Sequence, residues 1–218
     1  MRRFTIARAG TAIALTALVS ALFTVTATSA ALADEFECGS GGPGAVLDYS
    51  MAAAGQNITG TAGDDVITGS AFADNIIGGG GNDIIFGGGG NDNIRGDGLM
   101  QPPGLDQIFG EEDDDRLNGD PCNDLVAGGP GDDDATGSFG DDTVNGGPGD
   151  DLLTGADGLD QVNGGDNDDQ VNGGNQNDQL TGGLGDDNLD GQGGNNDFGN
   201  GNGGANVCTA ATENTANC

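Results

Sequence analysis

Apolar residues recur every nine positions between Gly60 and Gly199, and an acidic residue almost always stands two places before each of them. The clearest units are GGGGNDIIF (78–86) and GGGGNDNIR (87–95). Glycine fills position one, aspartate position six and a large apolar residue position eight. A period of nine fits neither the 3.6-residue repeat of an amphipathic helix nor the alternation of a long strand. Self-similarity at this period predicts a solenoid.

Each unit can supply one glycine-rich turn and one short strand, because glycine permits positive φ angles and Ile, Leu or Val favours an extended backbone. Two units then complete one coil, with the apolar residues facing inward. Stacked coils place strand on strand, so the pattern predicts an all-β fold with two parallel sheets. With strands about 4.8 Å apart, fifteen units would give seven to eight coils, roughly 35 Å long.

The repeat also stacks the position-six aspartates in two columns, because units n and n+2 lie on the same edge. The first column contains Asp65, Asp83, Asp106, Asp124, Asp142, Asp160 and Asp178, and the second contains Asp74, Asp92, Asp115, Asp133, Asp151, Asp169 and Asp187. Carboxylates one strand apart repel each other. A divalent cation between successive acids would turn that repulsion into attraction.

Composition makes such ions necessary for folding. One apolar residue in nine offers little burial against the ordering of 46 glycines. Residues 34–218 carry two arginines against 36 acidic residues, a net charge of −34. We therefore expect this part of the chain to be largely disordered without cations. So acidic a surface also argues against nucleic acid and anionic lipid as partners.

The available ligands favour calcium. The chain contains neither His nor Lys, which removes Ser-His-Asp chemistry, HExxH zinc sites and the Walker lysine. Carboxylates and turn carbonyls are hard oxygen donors, and Ca²⁺ accepts six to eight of them in flexible geometry. We therefore predict several bound Ca²⁺ ions.

The fifteen units resemble the RTX, or haemolysin-type, calcium-binding nonapeptide repeat, G-G-x-G-x-D-x-U-x, where U is a large apolar residue. The resemblance implies a parallel β-roll in which the first six residues of a unit form a calcium-binding turn and the last three a strand. It implies that the fourteen column aspartates are side-chain ligands, with turn carbonyls completing each coordination sphere.

Some units depart from the consensus. Residues Leu99–Pro103 insert five positions into one unit, which predicts a surface loop that disturbs neighbouring sites. The last unit places Asn196 at position six, which predicts a neutral end to the column, and Phe198 at position eight. Position four is not glycine in five units, and weaker binding is expected there; its occupants are Phe72, Asp113, Cys122, Asn167 and Gln176. Acids at position five, such as Asp64 and Asp132, are interpreted as a solvated face.

Residues 1–33 read as a secretory signal peptide, with Arg2, Arg3 and Arg8 before an apolar run and Ala31-Leu32-Ala33 as the cleavage site. The run is short for the alternative, a transmembrane anchor. The sequence therefore predicts a secreted, extracellular protein with an N-terminal segment or cap (34–59), the repeats (60–199) and a C-terminal cap (200–218).

Four cysteines in a secreted chain suggest two disulfides, for which three pairings are possible. The favoured pairing joins Cys208 to Cys218, stapling the C-terminal cap, and Cys38 to Cys122. A structural role is favoured over a redox role, since no Cys-x-x-Cys motif is present.

The leading functional hypothesis is a non-enzymatic protein that folds on binding Ca²⁺ and has a structural or adhesive role outside the cell. Its partners would then be cell-surface or matrix glycans or proteins, without membrane insertion. Calcium sequestration or sensing is the alternative. An enzyme acting on acidic polysaccharide is disfavoured, because a column of equivalent acids lacks the two distinguished carboxylates that glycoside hydrolysis needs. Little chain lies outside the repeats to hold a catalytic domain, so the repeats themselves are expected to carry the function.

Overall fold

The computed structural model describes residues 38–99, 101–194 and 196–209, and the backbone of 214–216. The predicted signal peptide and Cys218 lie outside this range. Within it, every regular element is a β-strand. In chain order the strands are β1 (Pro43–Asp48), β2 (Asn57–Thr59), β3 (Asp64–Thr68), β4 (Asn75–Gly79), β5 (Ile84–Gly89), β6 (Asn93–Asp97), β7 (Gln107–Glu112), β8 (Arg116–Pro121), β9 (Leu125–Ala127), β10 (Asp134–Phe139), β11 (Thr143–Pro148), β12 (Leu152–Asp157), β13 (Gln161–Asp166), β14 (Gln170–Asn175), β15 (Gln179–Leu184), β16 (Asn188–Gln192), β17 (Phe198–Asn202), β18 (Val207–Thr209) and β19 (Asn214–Ala216).

The strands form two parallel sheets, which confirms the predicted all-β solenoid. In the described part of the chain, the odd-numbered strands make a ten-stranded sheet and the even-numbered strands a nine-stranded sheet. Neighbouring strands are 18 residues apart over most of the stack, as in the pairing of Thr143 with Gln161. Two nine-residue units therefore make one coil. Strands β1 and β2 before the repeats, and β18 and β19 after them, join the same sheets and lengthen the stack beyond the predicted seven to eight coils.

Most strands are longer than the three residues that the resemblance implied. Strand β12, for example, runs from position seven of one unit to position three of the next, and its partner β14 does the same. Strand pairing continues past position one, as the pair of Ala156 and Gly174, both at position two, shows. The turn between two strands is correspondingly shorter than the six residues that the resemblance implied.

The core is a single file of inward-facing residues from position eight. It contains Ile58, Ile67, Ile76, Ile85, Ile94, Ile108, Leu117, Val126, Ala135, Val144, Leu153, Val162, Val171, Leu180 and Leu189. Each is at most 2% exposed. The alternation of buried and exposed residues in each strand follows from the two-residue period of extended backbone.

The prediction for the last unit is wrong. Leu180 pairs with Gly199 rather than with Phe198, and Phe198 is 42% exposed. The unit has ten residues instead of nine. The inward-facing place therefore falls on Gly199, one residue after the predicted Phe198. After this shift, residues 201–209 form a further nine-residue unit that ends in β18.

A disulfide between Cys38 and Cys122 confirms one predicted pairing, with the two Cα atoms 5.8 Å apart. It ties the segment before β1 to a turn 84 residues later. Because Cys218 lies outside the described residues, the pairing of Cys208 with Cys218 stays a prediction. No helix in the described residues is long and apolar enough to cross a membrane.

Candidate metal centre

The structure brings the position-six aspartates together in the two predicted columns, where each is at most 4% exposed. Within a column, Oδ1 of each acid after the first accepts a hydrogen bond from the backbone N–H of the acid one coil earlier. The N–H of Asp124, for instance, lies 2.7 Å from Asp142 Oδ1, and that of Asp142 lies 2.8 Å from Asp160 Oδ1. These hydrogen bonds fix the orientation of every carboxylate relative to the next.

The second oxygen of most column acids has no hydrogen-bond partner in the described structure. This applies to Oδ2 of Asp83, Asp92, Asp106, Asp115, Asp124, Asp133, Asp142, Asp151, Asp160, Asp169, Asp178 and Asp187. A buried charged oxygen without a partner costs several kcal/mol. A repeated row of such atoms is therefore strong support for cations between the coils.

Burial raises the pKa values of these carboxyl groups, and the charge of neighbouring acids raises most of them further. The N–H hydrogen bond to Oδ1 opposes both effects. The pKa rises to about 6 for Asp133, Asp160 and Asp169, to about 7 for Asp83, Asp92, Asp106, Asp115, Asp142, Asp151 and Asp178, and to about 10 for Asp124. Around neutral pH, these raised pKa values favour the uptake of protons or cations by the folded columns.

The acids that begin the columns, Asp65 and Asp74, are different. Thr61 and Ser70, at position two of the same units, donate a backbone N–H to Oδ2 and a hydroxyl to Oδ1; the hydroxyl distances are 3.0 Å and 3.2 Å. These two predicted ligands therefore have protein partners on both oxygens. A bound cation should therefore stabilise these two carboxylates less than it stabilises the later acids of each column.

Sequence reasoning missed the acid that continues the first column. The predicted column end, Asn196, is exposed, whereas Asp197 is fully buried and its Oδ1 accepts the N–H of Asp178 at 3.0 Å. In the second column Asn206 takes the same place after Asp187, at 2.8 Å. Aligning the unit on Asp197, two residues before the inward-facing Gly199, would have revealed the insertion.

The turns impose a left-handed backbone on residues that disfavour it. Ten non-glycine residues in the described chain have positive φ, and all ten stand at position two or four. They are Glu111, Asp120, Ser138, Ala156, Gln192 and Asn202 at position two, and Asp113, Cys122, Asn167 and Gln176 at position four. This conformation costs a non-glycine residue roughly 1–2 kcal/mol. The stacked coils, rather than local preference, therefore determine the turn conformation.

This strain gives a stability prediction. Ala156 has φ of 89°, and Ala156→Gly should relieve it. Part of the gain is lost because glycine makes the unfolded chain more flexible, so the net stabilisation should be about 0.5–1 kcal/mol. Denaturant unfolding in saturating calcium measures it. A lower unfolding midpoint than that of the unaltered protein would show that the turn carries no strain at Ala156.

The position-five acids are exposed, in agreement with the predicted solvated face, and five of the seven form a row beside the second column. Asp114, Asp132 and Asp150 each accept the backbone N–H of the residue at position five one coil later, at 2.9–3.1 Å. This edge of the stack is consequently the more acidic one.

The donor set of the columns suits calcium. In the part of the chain that the structure describes, no three Asp, Glu, His or Cys side chains converge on one point. A cation in a column would therefore combine one or two carboxylates with backbone carbonyls. Ca²⁺ accepts such sets of oxygens, whereas Zn²⁺ prefers nitrogen and sulfur and Mg²⁺ requires a stricter octahedron.

The fold and this donor set define a β-solenoid with repeated carboxylate sites for a hard divalent cation. The sequence-family model of the RTX calcium-binding nonapeptide repeat matches residues 57–98, 103–135, 128–162, 136–171, 163–198 and 172–208. The chain therefore belongs to this repeat family, and membership indicates calcium binding. A search of curated proteins finds no match.

Proposed function

We propose that this protein is a secreted β-roll that binds Ca²⁺ along both aspartate columns and, at neutral pH, folds only when the ions are present. The observation that carries the proposal is the row of buried Oδ2 atoms without hydrogen-bond partners in the described columns. Those oxygens point to a cation between successive coils, with Asp83 to Asp187 as ligands and Asp197 extending the first column. Turn carbonyls would complete each site.

Binding energy explains why folding would depend on calcium. A single site at a hundredfold excess of ligand over Kd stabilises the folded state by about 2.7 kcal/mol. Several sites together then exceed the 5–15 kcal/mol that stabilises an ordinary domain. The single-file core cannot supply this energy, because it buries one apolar side chain per nine residues.

Calcium removal tests the proposal. Residues 34–218, which leave out the predicted signal peptide, are the part to study. At pH 7.5, chelation with EGTA should abolish the β-sheet signal in far-UV circular dichroism, and added Ca²⁺ should restore it. Mg²⁺ at the same concentration is the matched control and should not restore it. An unchanged β signal after complete chelation would contradict the coupling of folding to calcium.

The Cys38–Cys122 disulfide supports an oxidising, extracellular location. We propose a structural or adhesive role there, with a glycan or protein partner. The exposed position-five acids support this role, because they offer further oxygen ligands for ions shared with an acidic glycan.

A calcium-dependent pull-down on extracellular glycans and proteins tests the adhesive role. The variant Asp132→Asn removes one exposed acid and serves as the surface probe, while Asp133→Asn serves as the column probe. Adhesion predicts that Asp132→Asn weakens capture without changing the folded state. Stoichiometric calcium binding without any captured partner would favour calcium sequestration instead.

A further inference from the structure

A buried carboxylate, Asp97, lies two residues before the insertion at Leu99–Pro103. Asp97 stands at position two of its unit, pairs with Gly79 of the preceding coil and is 4% exposed. Its Oδ1 accepts the N–H of Gly104 at 3.3 Å. Its Oδ2 has no hydrogen-bond partner within the described residues.

Asp120 occupies the same turn position one coil later and shows what Asp97 lacks. Arg95 donates to both of its oxygens, at 2.7 Å and 3.0 Å, and Asn118 donates to Oδ1 at 3.0 Å. The charge of Asp120 is therefore neutralised by the protein itself. No arginine or lysine in the described chain pairs with Asp97.

The inserted loop adds a second oxygen without a partner. Oε1 of Gln101 is buried and has no hydrogen-bond partner among the described residues. A Cβ atom built on Gly80 would lie 3.4 Å from it. Asp97 pairs with Gly79, so Asp97 and Gln101 lie over adjacent residues of the preceding coil.

Asp106, a column acid, is the third oxygen donor of this region. A Cβ atom built on Gly96 would lie 3.0 Å from Asp106 Cγ, so this carboxylate packs directly against the residue before Asp97. The negative charge of Asp106 acts on Asp97, and so does that of Asp120. Two carboxylates and one amide oxygen thus belong to the same buried part of the stack, and its negative charge exceeds its positive charge.

We propose that Asp97 and Gln101 are ligands of one additional calcium ion, bound between the inserted loop and the Asp106 turn. This inference rests on the proposed function, since it assumes that the columns bind calcium. It assigns to the insertion a role opposite to the one that the sequence suggested. The loop builds a site with one more carboxylate than a regular unit, and affinity for calcium rises with ligand charge.

The test counts the ions bound to residues 34–218 by native mass spectrometry and measures affinity by competition with a chelator. Asp97→Asn keeps the size of the side chain and removes the charge. We expect it to lose one ion, or to bind that ion on the order of tenfold more weakly. Gln101→Ala should weaken the same ion. Asp141→Asn, which removes an exposed acid from the same edge, is the matched control and should bind the full number.

The outcomes separate this inference from the proposed function. If Asp97→Asn and Gln101→Ala bind as many ions as Asp141→Asn with equal affinity, the additional site does not exist, while calcium binding by the columns stands. If the unaltered protein binds no calcium, both ideas fail. Circular dichroism shows whether Asp97→Asn folds in calcium. If it does not, the ion count of Gln101→Ala decides whether the additional site exists, because removing the uncharged Gln101 side chain leaves the charge of the protein unchanged.

Discussion

Calcium-free protein should fold when it is acidified to about pH 5 and unfold as the pH returns to neutral. The column acids have a pKa near 3.9 in an unfolded chain. In the folded chain without ions, burial raises the pKa of Asp133 and Asp160 to about 6 and that of Asp142 and Asp151 to about 7. Protons thus bind the folded state more tightly than the unfolded one.

The sign of the pH dependence follows from these values. Because the folded chain binds more protons between about pH 4 and pH 7, the free energy of unfolding falls as the pH rises through this window. The stabilisation is complete below the unfolded pKa and is lost as the pH passes the folded values of about 6 and 7. At neutral pH, calcium must take the place of the protons.

Far-UV circular dichroism of chelator-treated protein across pH 4.5–7.5 measures this effect. The chain has a sequence pI of about 4.1, so light scattering at two protein concentrations is needed to exclude aggregation as the source of the β signal. Added calcium should remove the pH dependence above pH 6. A calcium-free protein that is equally unfolded at pH 5 and pH 7.5 would contradict the prediction.

The sequence was sufficient to predict the coil, the two sheets and both acid columns. Fourteen aspartates in a constant register define the columns, and the five inserted residues at Leu99–Pro103 did not obscure them because the unit resumes with Gly104 and Asp106. The inward position eight was equally clear. Two nine-residue units per coil place the position-eight residues of both sheets on the inner side of the stack.

Features that depend on contacts between coils could not be predicted in this way. The single extra residue near Asn196 hid Asp197, because Asn is a plausible occupant of position six. The hydroxyl groups of Thr61 and Ser70 satisfy Asp65 and Asp74 only through the folded turn. Arg95 neutralises an acid 25 residues away, a distance that no local pattern marks.

The glycine at position one was recognised as constant, but only the structure gives its reason. A positive φ angle does not explain it, because glycines such as Gly155 and Gly164 do not have one. A Cβ atom at Gly155 would collide with Oδ2 of Asp160, the oxygen proposed to bind calcium, and would lie 2.6 Å from the carbonyl oxygen of Gly173. Gly164 shows the same arrangement with Asp169 and Gly182. Position one is glycine because the carboxylate needs the space.

Gly155→Ala should therefore destabilise the calcium-bound protein by about 3 kcal/mol, the upper end of the usual cost of overpacking, because the colliding groups are a backbone carbonyl and a fixed carboxylate. It should also remove calcium from the coil that contains Asp160. Denaturant unfolding in saturating calcium measures the first effect and native mass spectrometry the second.

Gly199→Ala is the matched control, since it adds the same methyl group to an inward-facing glycine with room for it. The nearest atoms to its new Cβ would be Cys208 Sγ at 3.6 Å and Leu189 Cδ2 at 3.7 Å, ordinary contact distances. Alanine also restricts the unfolded chain, so this variant should be neutral or up to about 1 kcal/mol more stable. Equal losses in both variants would mean that the stack tolerates no added methyl group anywhere, and that calcium coordination does not explain the constant glycine. A large loss at Gly155 alone would tie that glycine to the carboxylate of Asp160.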